Sequence, residues 1–182
     1  MARLPAVTRE QLNPEDYEYF DSIVGTRGSI RGPYGVLLHS PKLAARVADT
    51  GAFVRYEFTI PESLKETVII ATAREMRSQY EFSAHARLAR AAGVSDETIK
   101  IIATGAAPNG LEGDEALLTG YVKEMLQEHK VSASTYKALV DRFGEQDTLH
   151  LAVLVGHYIL VAQVLATMDV ELGEGMVSEI PE

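Results

Sequence analysis

The sequence predicts an all-α protein, a helical bundle packed around one shared core. Three observations lead there. Apolar residues recur at helical spacing, as in Leu64, Val68, Ala71 and Met76. Residues that start and stop helices punctuate the chain: Ser40-Pro41, Pro61, Gly93 with Ser95, and Ser132. Strand-type alternation never extends beyond a few residues.

Residues 1–30 read as an arm and a helix. Asn13 is the expected cap, with Pro14 at the first helical position. Gly25-Thr-Arg-Gly-Ser-Ile-Arg-Gly-Pro33 reads as a loop. Its glycine spacing lacks the Lys-Ser/Thr pair and the preceding strand of a phosphate loop. Tyr34 to His39 forms a short helical turn, and Ser40-Pro41 starts a helix through Leu43 and Val47 toward Phe53. Pro61 opens the helix that carries Glu66. The run breaks near Ser78 and resumes as the helix of His85, which Gly93 closes. Ser95 caps the next helix, and Ala106-Ala-Pro-Asn-Gly110 is a break. Asp114 to Lys130 forms another helix, and Ser132 caps a run to Arg142. Gly144-Glu-Gln-Asp-Thr148 separates that run from the last long helix, Leu149 to Met168. The tail, 173–182, is expected to be irregular.

The chain has 182 residues, 46% hydrophobic and 24% charged, which suits one domain with a sizeable core. Its formal net charge of −9 and the lack of a Lys/Arg block argue against a nucleic-acid partner. Cysteine is absent, which excludes disulfides, thiolate metal sites and cysteine redox cycles. Met1 to Arg9 has no apolar leader segment, so the expected location is the cytoplasm. His150, Gly156, His157 and Gln163 interrupt the apolar run from Leu149 to Met168. It reads as a buried or interface helix and not as a membrane span. Being apolar nearly all round, it predicts burial on more than one side and hence self-association.

The chemistry concentrates in Ser78-Gln-Tyr-Glu81-Phe-Ser-Ala-His85 and in Glu66 upstream. On a helix, Glu81 and His85 lie one turn apart and point to the same side. Glu66 sits among core-forming residues, where a carboxylate needs a partner. Two acids and an imidazole near one helix junction form a candidate proton-handling set. A solvated Glu–His pair, or a satisfied core histidine, explains the same spacing. No paired Glu-x-x-His motif supports a di-metal site, so no metal is expected. Asp147-x-x-His150 stands alone, and core or subunit packing explains His150 and His157 as well as ligation does. Ser78 and Ser83 lack a nucleophile elbow. Cofactor-free acid–base chemistry on a small molecule remains.

Ala71-Thr-Ala-Arg74, Tyr80-Glu-Phe-Ser-Ala-His85, Ala89 and Ala92-Gly-Val-Ser-Asp-Glu-Thr-Ile99 resemble the carboxymuconolactone decarboxylase family, within the wider AhpD-like superfamily. Gly32-Pro-Tyr34 to Pro41 and Val155-Gly-His-Tyr158 are similar too. The resemblance spans about residues 31 to 170, implies an AhpD-like bundle over 31–172, and implies homo-oligomers, trimers or hexamers. AhpD-type members carry a Cys-x-x-Cys pair, a His four residues after the second Cys, and an upstream Glu. Aligned on His85, the cysteine positions fall on Ser78 and Glu81, and the Glu on Glu66. This chain therefore resembles the cysteine-free decarboxylase branch, which acts on a carboxylated unsaturated lactone from aromatic breakdown and needs no cofactor. The resemblance implies His85 as acid, oriented by Glu81 or Glu66. It gives Arg74 two readings, a carboxylate fork or an ion pair with Glu66 or Glu81. It makes Ser78, Tyr34 and Tyr158 candidate substrate contacts, although core packing also explains the tyrosines.

Overall fold

The computed structural model describes residues 2–181, and among them no strand occurs. Eight helices follow in order: α1 (Tyr17–Arg27), α2 (Pro33–Leu37), α3 (Pro41–Tyr56), α4 (Glu62–Glu75), α5 (Gln79–Ala91), α6 (Asp96–Ala103), α7 (Gly113–Glu128) and α8 (Ala133–Met168).

Several expected starts and stops act as anticipated. Ser95 and Ser132 accept hydrogen bonds from the backbone N–H of Thr98 and Thr135, satisfying donors that a helix start leaves free. Gly93 turns the chain after α5 with φ +94°, where a β-carbon would be strained. Asn13 differs from expectation, because its side chain makes no capping bond. Pro14 opens a single 3₁₀ turn, and α1 begins at Tyr17. The expected separator at 144–148 shrinks to one residue. Only Gly144 leaves helical geometry, at φ 82° and ψ 167°, and helix resumes at once. Thr148 Oγ1 donates to the Gly144 carbonyl at 2.7 Å, which secures the resumed turn.

Helix α4 is the hub. It packs against α5, α6, α7 and α8, and every residue from 65 to 73 is buried. Its two faces therefore both meet protein, which explains why its apolar residues run nearly unbroken through Val68-Ile-Ile-Ala71. The main core gathers Val68, Ile70, Phe82, Ile99, Leu118, Leu151 and Leu154. A smaller cluster, built on Ile23, Leu38, Ala44 and Val47, joins α1, α2 and α3. Helix α8 is long and apolar enough to cross a membrane, yet its inner face packs on α3, α4 and α7. Leu149, Val153 and Leu160 remain uncovered on its outer face.

The irregular tail is fastened to the body. Ile180 is buried, and its backbone N–H and carbonyl both bond the Gln79 amide. Glu179 pairs with both terminal nitrogens of Arg90, at 3.1 and 2.7 Å.

Candidate functional site

Helices α4 and α5 bring Glu66 and His85 together across a tight reversal. Arg77 takes a left-handed conformation at φ 52°, and Ser78 N–H bonds the Ala73 carbonyl at 2.8 Å. Glu66 is only 1% exposed. Its Oε2 lies 2.7 Å from His85 Nδ1. A carboxylate there accepts the Nδ1 proton and turns Nε2 outward. That outward nitrogen lies 3.2 Å from the Tyr158 hydroxyl and 3.6 Å from Glu81 Oε2. His85 thus meets three polar groups from α4, α5 and α8.

This set forms one wall of a cavity of about 830 Å³. Glu81, His85, Tyr34 and Tyr158 line it, and Glu66 stands behind His85. Five arginines, at 27, 31, 55, 87 and 90, also line it. The chain as a whole is acidic, so the cavity runs against the average charge and favours an anion.

Burial sets the protonation of several walls. It raises the Glu81 carboxyl above the usual range, against the opposing pull of His85 and Arg55. It pushes the Tyr158 phenol well up, so this hydroxyl stays a donor. Tyr34 is raised by burial as well, with Arg27 opposing. His157 is lowered to about 4, by burial first and then by Arg27, Arg55 and His85. Its imidazole is neutral at neutral pH.

The predicted residues divide into two groups. Glu66, Glu81, His85, Tyr34 and Tyr158 come together. Arg74 and Ser78 do not. Arg74 donates from Nε to the Ala103 carbonyl at 2.7 Å and borders a small separate crevice with Lys123. It forms neither a substrate fork in the cavity nor an ion pair with Glu66 or Glu81. The cause is local. Gly105 has φ +77°, and a β-carbon there would stand 2.9 Å from Arg74 Nη2, so its absence admits the guanidinium. Ser78 sits at the N-cap of α5, outside the cavity wall, with no side-chain cap bond.

Among the cavity residues without a site role in the sequence reading are Arg27, Arg55 and His157. Arg27 leaves the C-terminal end of α1, Arg55 comes from α3 and His157 from α8. Arg27 Nη2 donates to the Tyr34 hydroxyl at 2.6 Å and to the Ala48 carbonyl at 3.0 Å. Arg55 Nη2 lies 3.7 Å from Glu66 Oε1. One signal was available. Gly51 lies inside α3, where glycine is costly unless something must approach closely. A β-carbon there would stand 2.6 Å from both Arg27 Nη2 and His157 Nε2. His150, by contrast, faces away into Phe53 and Phe58 and bonds Asp147 at 3.2 Å. The tail also lines the cavity, through Gly175, Met176, Val177 and Glu179.

Residues 41–119 match the sequence profile of the carboxymuconolactone decarboxylase family. That segment contains Arg55, Glu66, Glu81 and His85, while Arg27, His157 and Tyr158 lie outside it. Two solved proteins share the fold over nearly the whole chain. One is the alkylhydroperoxidase AhpD core, an uncharacterized peroxidase-related protein from Ralstonia eutropha JMP134. It has TM-score 0.78 and 15% identity, covering 95% of this chain and 93% of that one. The other is the debrominase Bmp8, solved apo and as a cysteine-to-alanine variant with 2,3,4-tribromopyrrole. Both forms give TM-score 0.73 and 14% identity, covering 93% of this chain and 91% of that one. No curated protein matches by sequence.

Proposed function

We propose, from the match of residues 41–119 to the carboxymuconolactone decarboxylase family and the AhpD-like fold, that this chain is a member of that superfamily and a cofactor-free carboxy-lyase. Its substrate is a carboxylated unsaturated lactone, or a related carbonyl acid, of aromatic breakdown. The observation that carries this reading is the Glu66–His85–Tyr158 chain of contacts at the wall of an arginine-lined cavity.

The residues suit such a reaction. The bond from the ring carbon to the carboxylate breaks, and CO₂ departs. The bonding pair enters the conjugated carbonyl and becomes a dienolate. The substrate is its own electron sink. His85 then delivers a proton from Nε2 to carbon and recovers one from water. Glu66 holds the ring through Nδ1 and balances the charge on the imidazolium. Tyr158 and Glu81 flank Nε2 and keep it aimed at the cavity. Thiolate attack on a peroxide is excluded, because the chain has no cysteine.

The unfilled cavity supports an enzyme over a non-catalytic helical oligomer. An isomerase or hydratase would use the same proton donor, and the product separates these from a lyase. The test is a screen of carboxylated lactones by loss of ultraviolet absorbance, with CO₂ release measured in parallel. Consumption without CO₂ would move the reading to an isomerase or hydratase. A His85→Ala variant as fast as wild type would remove His85 as the donor.

We propose further that the protein is a homo-oligomer, a trimer or hexamer by its family resemblance. The uncovered apolar face of α8 supports this: Leu149 is 64% exposed, and Val153 and Leu160 are each 40% exposed.

A further inference from the structure

The lyase reading assigns the proton donor and leaves the other half of the electrostatics unassigned. Decarboxylation of this kind places a full negative charge on one carbonyl oxygen. We propose that Arg27 and Arg55, with His157 beside them, form the oxyanion subsite that receives that oxygen. This proposal rests on the lyase reading for its catalytic role, though not for its binding chemistry.

The geometry supports it in three ways. First, the two arginines hold unspent donors. Nε and Nη1 of Arg27 and Nε of Arg55 are buried and make no hydrogen bond. Donors left without a protein partner leave the two guanidinium groups short of compensation, which an anion in the cavity they line would supply. Second, Arg27 is held in place without being neutralised. Tyr34 and the Ala48 carbonyl take Nη2, and the guanidinium lies over the Tyr34 ring at 4.4 Å. These contacts fix its direction and leave its charge for something else. Third, the subsite adjoins the proton donor. The Tyr158 ring meets His85 edge-on at 5.0 Å and His157 at 5.4 Å, so it stands between the two imidazoles. An unsaturated ring lying along Tyr158 presents its carbon to His85 and its oxygen to the arginines.

His157 contributes as a neutral ring. Arg27 from α1, Arg55 from α3 and His85 from α5 all bear on it, and each disfavours a further cation. A neutral imidazole adds a hydrogen-bonding edge without repelling the arginines. Gly51 makes the arrangement possible, because any side chain at that position would occupy the space where Arg27 and His157 approach.

Holding the departing carboxylate on this pair would be counterproductive. A guanidinium fork stabilises a localised carboxylate most, and decarboxylation drains charge from that group. Holding the oxygen that gains charge lowers the barrier instead.

The test uses 4-nitrophenol as an enolate mimic, because its ionised form is told apart by near-visible absorbance. We expect wild-type protein to bind the phenolate and to lower the probe's pKa by about 1–3 units, as a nearby opposite charge does. Arg27→Met and Arg55→Met should each abolish most of the shift, with folding checked by circular dichroism. Gly51→Ala should reduce it while leaving every polar group in the sequence intact. Failure of the probe to bind overturns the proposal. Binding as the neutral phenol, or an unchanged shift in both arginine variants, does so too. If an arginine variant does not fold, the wild-type shift and Gly51→Ala decide. A probe shift with no lactone consumed keeps the subsite and defeats the lyase reading. Lactone consumption with no probe shift does the reverse.

Discussion

Glu66 Oε2 and His85 Nδ1 stand 2.7 Å apart although 19 positions separate the residues in sequence. The contact joins the most buried carboxylate among the described residues to an imidazole on the cavity wall. It commits Nδ1 of His85 to Glu66 and leaves Nε2 facing Tyr158 and Glu81.

On an identified substrate, His85→Ala should therefore lower kcat by on the order of 10²–10⁴ without changing the helical content. Glu66→Gln should cost less, because it keeps the shape and removes only the charge. Steady-state kinetics beside circular dichroism checks both. Equal losses from the two variants would mean that the Glu66 charge is as necessary as the imidazole itself.

His157 gives the protein an acid sensitivity of known sign. Its folded pKa is about 4 against an ordinary 6.5, so the unfolded chain takes up a proton first as pH falls. Stability should drop from about pH 6.5 downward and level off near pH 4. The full effect is on the order of 3 kcal/mol, from the lowering of its pKa from 6.5 to about 4. Melting temperatures across this range should fall less steeply in His157→Gln than in wild type.

Glu81 acts in the opposite sense. Burial raises its folded pKa, so the folded state keeps a proton that the unfolded chain releases above about pH 4.5. The penalty is absent at low pH and grows as pH rises through the raised value. Glu81→Gln should raise the melting temperature at neutral pH and leave it unchanged below pH 4. An equal rise at both would assign the gain to packing instead.

Arg74→Lys should leave KM unchanged, since Arg74 lies outside the cavity. It should instead destabilise the fold, by about 0.5–1.5 kcal/mol for the weakened bond to Ala103. Urea denaturation with substrate kinetics separates the two effects. A raised KM would return Arg74 to substrate binding.

For assembly, light scattering should give a mass several times that of one chain. Val153→Glu or Leu160→Glu on the outer face of α8 should reduce it. A monomer mass for wild type at micromolar concentration defeats the proposal.

The helices were legible because their caps and apolar spacing are local signals. Glu66, Glu81 and His85 were legible for a related reason. An acid amid Val68-Ile-Ile-Ala71 and an i, i+4 pair both report their neighbours directly. Arg27 and His157 were not, because their meeting joins α1 to α8 across α3, and no short-range pattern encodes it. Arg74 misled because an arginine one helix turn from a break fits many partners. What settles its contact is an open space at Gly105, on another helix's end. Glycines with strict space requirements were the informative residues, and they carry no chemistry of their own.

The fastening of residues 175–180 has a consequence for any shortened form of the protein. The profile-matched stretch supplies Glu66, Glu81 and His85, but part of the cavity wall is irregular chain clipped at Gln79 and Arg90. Cut the chain before Gly173 and the same helices would surround an open trough. The wall that residues 175–179 give the cavity would be gone, and the burial that raises the Glu81 and Tyr158 pKa values would weaken. A fragment could therefore keep the helical fold, melt cooperatively and still have lost one wall of the cavity.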